Sequence, residues 1–435
     1  MFTWQTKRAI LKALLFKNNP YYVQYYINGA CHLKCRQCNI VETNSSLGEM
    51  RLDEIGVMAR NLREIGGGIV LLTGGEPFLR KDIDQVAAAF LKEGLDVRLQ
   101  TAGIATDAQL QACYDVGCRD LNISLDSLDE AKQDYINAVP GSWAAAIDAI
   151  ERVSQIFRGD SAICSLGCVL SRMNFREVPA ILEFATSIGW YVSLVPVHIA
   201  KRGAHYGFRS FDDEFCFGSE DYPALAATID TLIAMKRNGY LLFDSETFLR
   251  SAFEFLQGRP PTWRKYNDGV CDSPNLYFAV RPNGDFTTCC DYTLPNPPSL
   301  RDPGFAAQYR SREVHALAAP ITKSCPGCHY GSYPEVTLSV RDWGALRERA
   351  RVALRQDKQL ITRFDRHSLP ARIDDIRRRH AGVYAGEAWI SPTLQEKVQA
   401  WHDPERRRGV LAEDNDRRRA EGRVRQRPVR QEPHE

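Results

Sequence analysis

Cys31-His32-Leu33-Lys34-Cys35-Arg36-Gln37-Cys38 spaces three cysteines as C-x3-C-x2-C, directly after the apolar run Tyr21 to Ile27. Three close thiolates suit a soft metal. Closed structural zinc sites take four protein ligands, whereas a cubane iron-sulfur cluster held by three cysteines keeps one iron open to a non-protein ligand. Spacing alone leaves a zinc knuckle, a cluster loop and coincidence all open. Downstream, Thr73-Gly74-Gly75-Glu76-Pro77 follows Ile69-Val70-Leu71-Leu72, which reads as a buried strand. Paired glycines let backbone approach a ligand closely, and a carboxylate beside them can receive an ammonium group. Alone, this second stretch is also an ordinary strand-to-helix turn.

In this order and at this distance, the two stretches resemble the cluster loop and glycine-rich motif of the radical SAM enzymes. The resemblance implies that Cys31, Cys35 and Cys38 hold a [4Fe-4S] cluster whose fourth iron chelates S-adenosylmethionine (SAM). It implies too that Gly74, Gly75 and Glu76 meet the SAM amino group. One departure is Gln37, where many members carry an aromatic residue that contacts adenine. A second is Thr101-Ala102-Gly103, where many have Thr-Asn-Gly.

Between Tyr21 and about Val197, apolar runs at 22–27, 69–72, 97–101, 121–125, 163–170 and 191–195 alternate with helical patterns at 52–65, 82–92, 107–116, 142–157 and 178–188. Such alternation implies a parallel sheet, and six repeats suit a barrel or part of one. The expected class is therefore α/β, a partial (βα)6 TIM-like barrel, in agreement with the family's open six-strand barrel. Loops at the C-terminal strand ends form the active-site face of such a barrel, so the two motifs converge there.

Later strand ends supply further candidates. Ser124 and Asp126 close the fourth strand and resemble the family's SAM contact there, although a serine and aspartate capping the next helix explain them nearly as well. Arg172 and Asn174 after the fifth strand are candidates for the SAM carboxylate or ribose. His198 ends the sixth strand, where imidazole can exchange protons with substrate near neutral pH; an ordinary hydrogen-bonded histidine is the alternative.

A second cysteine group comprises Cys271, Cys289, Cys325 and Cys328, with Cys290 beside the second. Asn283-Gly284-Asp285 between the first two is a hairpin signal. Four cysteines complete either a cubane cluster or a structural zinc site. In the radical SAM context the arrangement resembles the twitch module, a shortened relative of the SPASM domain. That resemblance implies an auxiliary [4Fe-4S] cluster, with Cys290 an alternative ligand to Cys289. Cys164 and Cys168 fall on one side of a strand and read as core packing.

The chain has 435 residues, 44% hydrophobic, with a net charge of +2. Near balance gives no overall field to attract nucleic acid. Thirteen cysteines, an odd count in a large chain without a signal peptide, fit a reducing cytoplasm better than a disulfide framework. No apolar run approaches the roughly 20 residues that span a bilayer. The expected organisation is an amphipathic basic helix at 1–19, the barrel at 20–200, a helical bridge at 201–269, a small cysteine-rich auxiliary domain at 270–333, a helical extension at 334–402 and a disordered charged tail at 403–435. The first helix is expected to pack on the enzyme body; its pattern also suits peripheral membrane contact.

The resemblance implies an oxidoreductase that cleaves SAM to a 5′-deoxyadenosyl radical and abstracts hydrogen, supplied with electrons by a flavodoxin- or ferredoxin-type donor. A small biosynthetic metabolite is the expected substrate, with net oxidation through the auxiliary cluster. Modification of a ribosomally made peptide is the enzymatic alternative. A non-catalytic iron-sulfur electron carrier is the alternative of another class.

Overall fold

A computed structural model describes residues 2–157, 162–198, 213–290, 292, 294–330, 332–354, 368–384 and 392–403. Residues 201–212 of the expected helical bridge and the expected tail from 404 onward lie outside the described residues. Six strands, β1 (Tyr22–Tyr26), β2 (Ile69–Thr73), β3 (Asp96–Thr101), β4 (Asp120–Ser124), β5 (Ile163–Leu170) and β6 (Tyr191–Pro196), pair in sequence order, all parallel. This is the α/β partial-barrel architecture the alternation predicts. Two strands continue the sheet: β7 (Tyr277–Val280) lies parallel beside β1, and β8 (Phe286–Thr287) is antiparallel to β7. The order is β6-β5-β4-β3-β2-β1-β7-β8, so the second cysteine segment hydrogen-bonds directly to the barrel sheet.

Side chains alternate across each strand. One set, including Val23, Tyr25, Leu72, Val97, Leu99, Leu121 and Ile123, packs into the main core with Met58, Leu62, Val86 and Phe90 from the surrounding helices. The opposite set is more polar. Gln24, Arg98, Gln100, Asn122 and Ser193 line an internal cavity.

The hairpin turn is confirmed in detail. Gly284 Nα–H donates to Arg281 O at 2.9 Å, and Gly284 sits at φ +87°, a conformation glycine adopts without strain. After the hairpin, helix Ser332–Arg341 packs its Tyr333, Val336 and Val340 in a cluster with Tyr21, Tyr22 and Tyr277, and Tyr333 stacks on Tyr277 at 4.6 Å. One buried ion pair, Lys132 Nζ to Glu177 Oε1 at 2.9 Å, ties helix Glu130–Asn137 to the start of helix Val178–Ser187. Burial pushes the lysine down and the glutamate up, both towards the neutral form.

Candidate active site

Parallel register brings the ends of β1 and β2 together, Tyr26 opposite Thr73, so the cysteine loop and the Gly-Gly-Glu loop leave the sheet side by side. Asn28 pins them. Its Nδ2 donates to Glu76 O at 2.7 Å and its Oδ1 accepts from Gly75 N–H at 3.1 Å, while Glu76 N–H donates to Ala30 O at 2.7 Å. A Cβ on Gly75 would collide with the Ala30 carbonyl. The close approach that the glycine permits is therefore made first to the cysteine loop itself.

The far side of that loop rests on helix Glu130–Asn137. Lys34 N–H and Arg36 N–H donate to the terminal carbonyls of Asn137 and Ile136, which otherwise lack helical partners. Arg36 Nε donates to Tyr135 O, and its guanidinium lies 4.0 Å above the Tyr135 ring. Trp401, from the C-terminal helix Pro392–His402, meets the same tyrosine edge-on. Cys35 Sγ contacts Asn137 Oδ1 at 3.3 Å.

Cys31, Cys35 and Cys38 share one cavity of about 490 Å³ with Gly74, Gly75, Glu76, Ser124, Asp126 and His198. Among the described residues no three His, Cys, Asp or Glu side chains are gathered as a single-ion site. The three thiols line one cavity, and Leu33 N–H already donates to Cys31 Sγ at 3.4 Å, as it would to a thiolate ligand. Burial pushes the Cys31 thiol up to about 11, so a bound cation is needed to hold it deprotonated. The donor set thus fits a three-cysteine cubane.

The Glu76 carboxylate is buried, accepting from Ala102 N–H at 2.7 Å and Phe78 N–H at 3.1 Å. Burial outweighs these donors and pushes it up to about 7. Asp126 is likewise pushed up to about 7 by burial, and its two oxygens accept from Val169 N–H and from Gln37 Nε2 at 2.8 Å. Gln37, where family members carry an aromatic, thus holds the cysteine loop to the end of β4.

Two of the residues expected to contact SAM lie outside the cavity lining. Arg172 pairs with Asp221 at 2.7 Å and Glu220 at 2.9 Å, and Asn174 spends its amide on Asp126 O and Val169 O. Neither lines the cavity. Asn174 is nearly fully buried and ties two strand ends together instead. His198 does line the cavity, but its Nε2 accepts from His329 N–H at 2.9 Å, and its ring stacks on Tyr330 at 3.8 Å. It joins the end of β6 to the loop carrying Cys328.

Across the cavity, the second cysteine group is assembled from distant sequence. Cys289 and Cys325 lie near enough to Cys271, and Cys271 and Cys328 near enough to Tyr277, for their charges to act there, although among the described residues no three of these side chains gather as a single-ion site. Tyr277 Oη contacts Cys271 Sγ at 3.2 Å, and Gly327 N–H donates to Cys325 Sγ at 3.3 Å. Cys290 differs, because it lines the barrel cavity with Tyr22, Tyr26 and Tyr330.

Sequence reasoning missed Asn28, Asn137 and the cavity-facing Gln24, Arg98, Gln100 and Asn122. The last four had a readable signal, polar residues at alternate positions within apolar strands.

The family model of the radical SAM superfamily matches residues 25–185, which hold both motifs, the end of β1 and strands β2 to β5. Those residues belong to the radical SAM superfamily. Membership implies a [4Fe-4S] cluster and SAM. Among curated proteins, an AdoMet-dependent heme synthase from Methanosarcina barkeri is 26% identical over 40% of this chain and 49% of its own length. A GTP 3′,8-cyclase from Marinobacter nauticus is 32% identical over 38% of this chain and 50% of its own length. The chain thus spans about half the length of these relatives. Two solved structures share the radical SAM fold more widely. Streptococcus suis SuiB bound to the precursor peptide SuiA has a TM-score of 0.54 at 12% identity, covering 78% of this chain and 77% of SuiB. Native anSMEcpe with bound AdoMet and a Kp18Cys peptide has a TM-score of 0.53 at 14% identity, covering 82% of this chain and 99% of that one.

Proposed function

We propose that this protein is a cytoplasmic radical SAM enzyme that oxidises a small biosynthetic metabolite. The observation that carries the reading is the convergence of Cys31, Cys35 and Cys38 with the Gly-Gly-Glu loop and the end of β4 on one cavity. Bound there, a [4Fe-4S] cluster and SAM supply a 5′-deoxyadenosyl radical that takes a hydrogen atom from substrate. Cys271, Cys289, Cys325 and Cys328 would hold an auxiliary [4Fe-4S] cluster, which would offer an acceptor for the remaining electron.

The chain's own residues hold and orient. In this reading Glu76 and the backbone of Gly74 and Gly75 receive the SAM amino group, and Ser124 and Asp126 meet its ribose. Gln24, Gln100 and Asn122 offer amide donors and acceptors to substrate deeper in the cavity. A volume of about 490 Å³ suits small-molecule ligands. A flavodoxin- or ferredoxin-type protein is the proposed electron source.

A second reading, modification of a ribosomally made peptide, is favoured by the peptides named with SuiB and anSMEcpe. The test is anaerobic reconstitution followed by incubation with SAM and dithionite. Formation of 5′-deoxyadenosine by the wild type, and none by the Cys31, Cys35 and Cys38 triple alanine variant, is expected. Equal formation by both would remove the assignment, and none by either would leave an electron carrier.

A further inference from the structure

The N-terminal helix Trp4–Phe16 is seated with its small residues inward. Thr6, Ala9 and Ala13 are buried, and Gly68 lets the helix approach, since a Cβ there would lie 3.1 Å from Ala9 Cβ. Polar contacts fix it. Thr3 N–H donates to Asp96 Oδ2 at 2.9 Å, Thr6 Oγ1 to Gly68 O at 2.8 Å, and Asn19 Nδ2 to Gly66 O at 2.7 Å. These partners lie at or just before the N-terminal ends of β2 and β3, the end of the barrel opposite the cysteine loop.

Ile10 and Leu14 pack partly against the body, but this seating leaves the other large apolar side chains outside. Trp4 is 81% exposed, Leu11 55% and Leu15 65%. Their spacing, i, i+7 and i+11, puts them on one stripe of the helix. Lys7, Arg8 and Lys12 flank that stripe, and none of them pairs with a carboxylate among the described residues. Residues 1–20 contain four Lys or Arg and no Asp or Glu, against near balance in the whole chain. At the far end of the helix, Lys17 Nζ donates to Val340 O, and Trp343, three residues on, is 85% exposed. A helix with Trp and Leu on one face and flanking cations, without acids, matches the chemistry of an anionic lipid surface.

We propose that this face docks the protein on an anionic bilayer. Trp4, Leu11 and Leu15 enter the headgroup boundary, and Lys7, Arg8 and Lys12 meet lipid phosphates. The motif loops leave the opposite end of the strands, so docking leaves them clear of the lipid.

The test is co-sedimentation of the full-length, anaerobically reconstituted protein with phosphatidylcholine vesicles, with and without about a third phosphatidylglycerol. Binding to the anionic vesicles and its weakening at high salt are expected. The variant Trp4→Ala/Leu11→Ser/Leu15→Ser should lose on the order of tenfold or more in partitioning. The variant Lys7→Gln/Arg8→Gln/Lys12→Gln should lose the preference for anionic lipid. All the changed residues lie on the outer side of the helix, so both variants should keep wild-type circular dichroism and iron content. Failure of the wild type to sediment with anionic vesicles would overturn the proposal, as would undiminished binding by the apolar variant. A wild-type dimer that this variant splits would overturn it too, because a second copy would then cover the face.

Discussion

Gly75 shows how a single residue holds the two motifs together. Its Cα faces the carbonyl of Ala30, one residue before the first cysteine, with no room for a methyl group between them. Gly75→Ala must therefore push the cysteine loop away from the Gly-Gly-Glu loop or break the Glu76 N–H to Ala30 O bond. The expected outcome is a folded protein that loses most of its SAM cleavage and retains less iron at the first site, read by 5′-deoxyadenosine formation and iron analysis. Wild-type activity in this variant would show that the loops move independently. The motif was legible in the sequence, but its physical reason was only half so. Composition pointed to a ligand approaching the glycines, whereas only the register of β1 on β2 reveals that backbone approaches first. The placement of Arg172 and Asn174 was not legible for a related cause. Their positions after a strand end were right, but their partners, Asp221 and the backbone of Asp126, come from segments that no local pattern ties to them.

At the level of elements, the segment after helix Tyr222–Arg237 makes contacts that the barrel pattern does not announce. Leu242 bridges to Val192 on the edge of β6, and Asp244 Oδ2 then accepts from Leu194 N–H at 2.6 Å. Glu335, from helix Ser332–Arg341, lies close by and accepts from Ser245 N–H. Burial, reinforced by Glu335, pushes Asp244 up to about 7 from an ordinary 3.8. The sign of the effect on stability follows from proton counts. Between about pH 4 and 7 the unfolded chain has released this proton while the folded chain keeps it, so unfolding gains as pH rises through that window. Above pH 7 the loss is complete and flat. Asp244→Asn keeps an oxygen for Leu194 N–H and removes the ionisation. The variant should match the wild type near pH 5 more closely than at pH 8, where it should be the more stable by an amount of order 1 kcal/mol or more. Denaturant midpoints of both proteins across pH 5 to 8 decide this, and parallel curves would show that Asp244 does not titrate in the window. The sequence could not supply this pair, since its members are 91 residues apart and meet only when the helix crosses the sheet edge.

At the scale of the whole molecule, β7 joins the second cysteine segment to the barrel sheet. The alternation of strands made six barrel strands legible, and the Asn-Gly-Asp turn made the hairpin legible. That β7 would pair with β1 was not, because a four-residue apolar strand carries no mark of its partner. The pairing is what carries Cys290 to the cavity wall. The two neighbours differ in setting: Cys290 lines the cavity beside Tyr22 and Tyr330, while Cys289 lies near Cys271. We propose on this geometry that Cys289 is the auxiliary ligand and that Cys290 faces substrate. Reconstituted wild-type protein should hold about eight irons, two cubanes, per chain. Cys289→Ala should fall to about four irons and still cleave SAM, because the first cysteine loop is untouched, yet fail to oxidise substrate. Cys290→Ala should keep about eight irons and show its effect in substrate turnover or affinity. Iron and sulfide analysis with Mössbauer spectra on both variants separates the cases. Loss of the second cluster in Cys290→Ala alone would reverse the assignment, and zinc in place of iron at this site would end the electron-acceptor role while leaving the SAM-cleaving site intact.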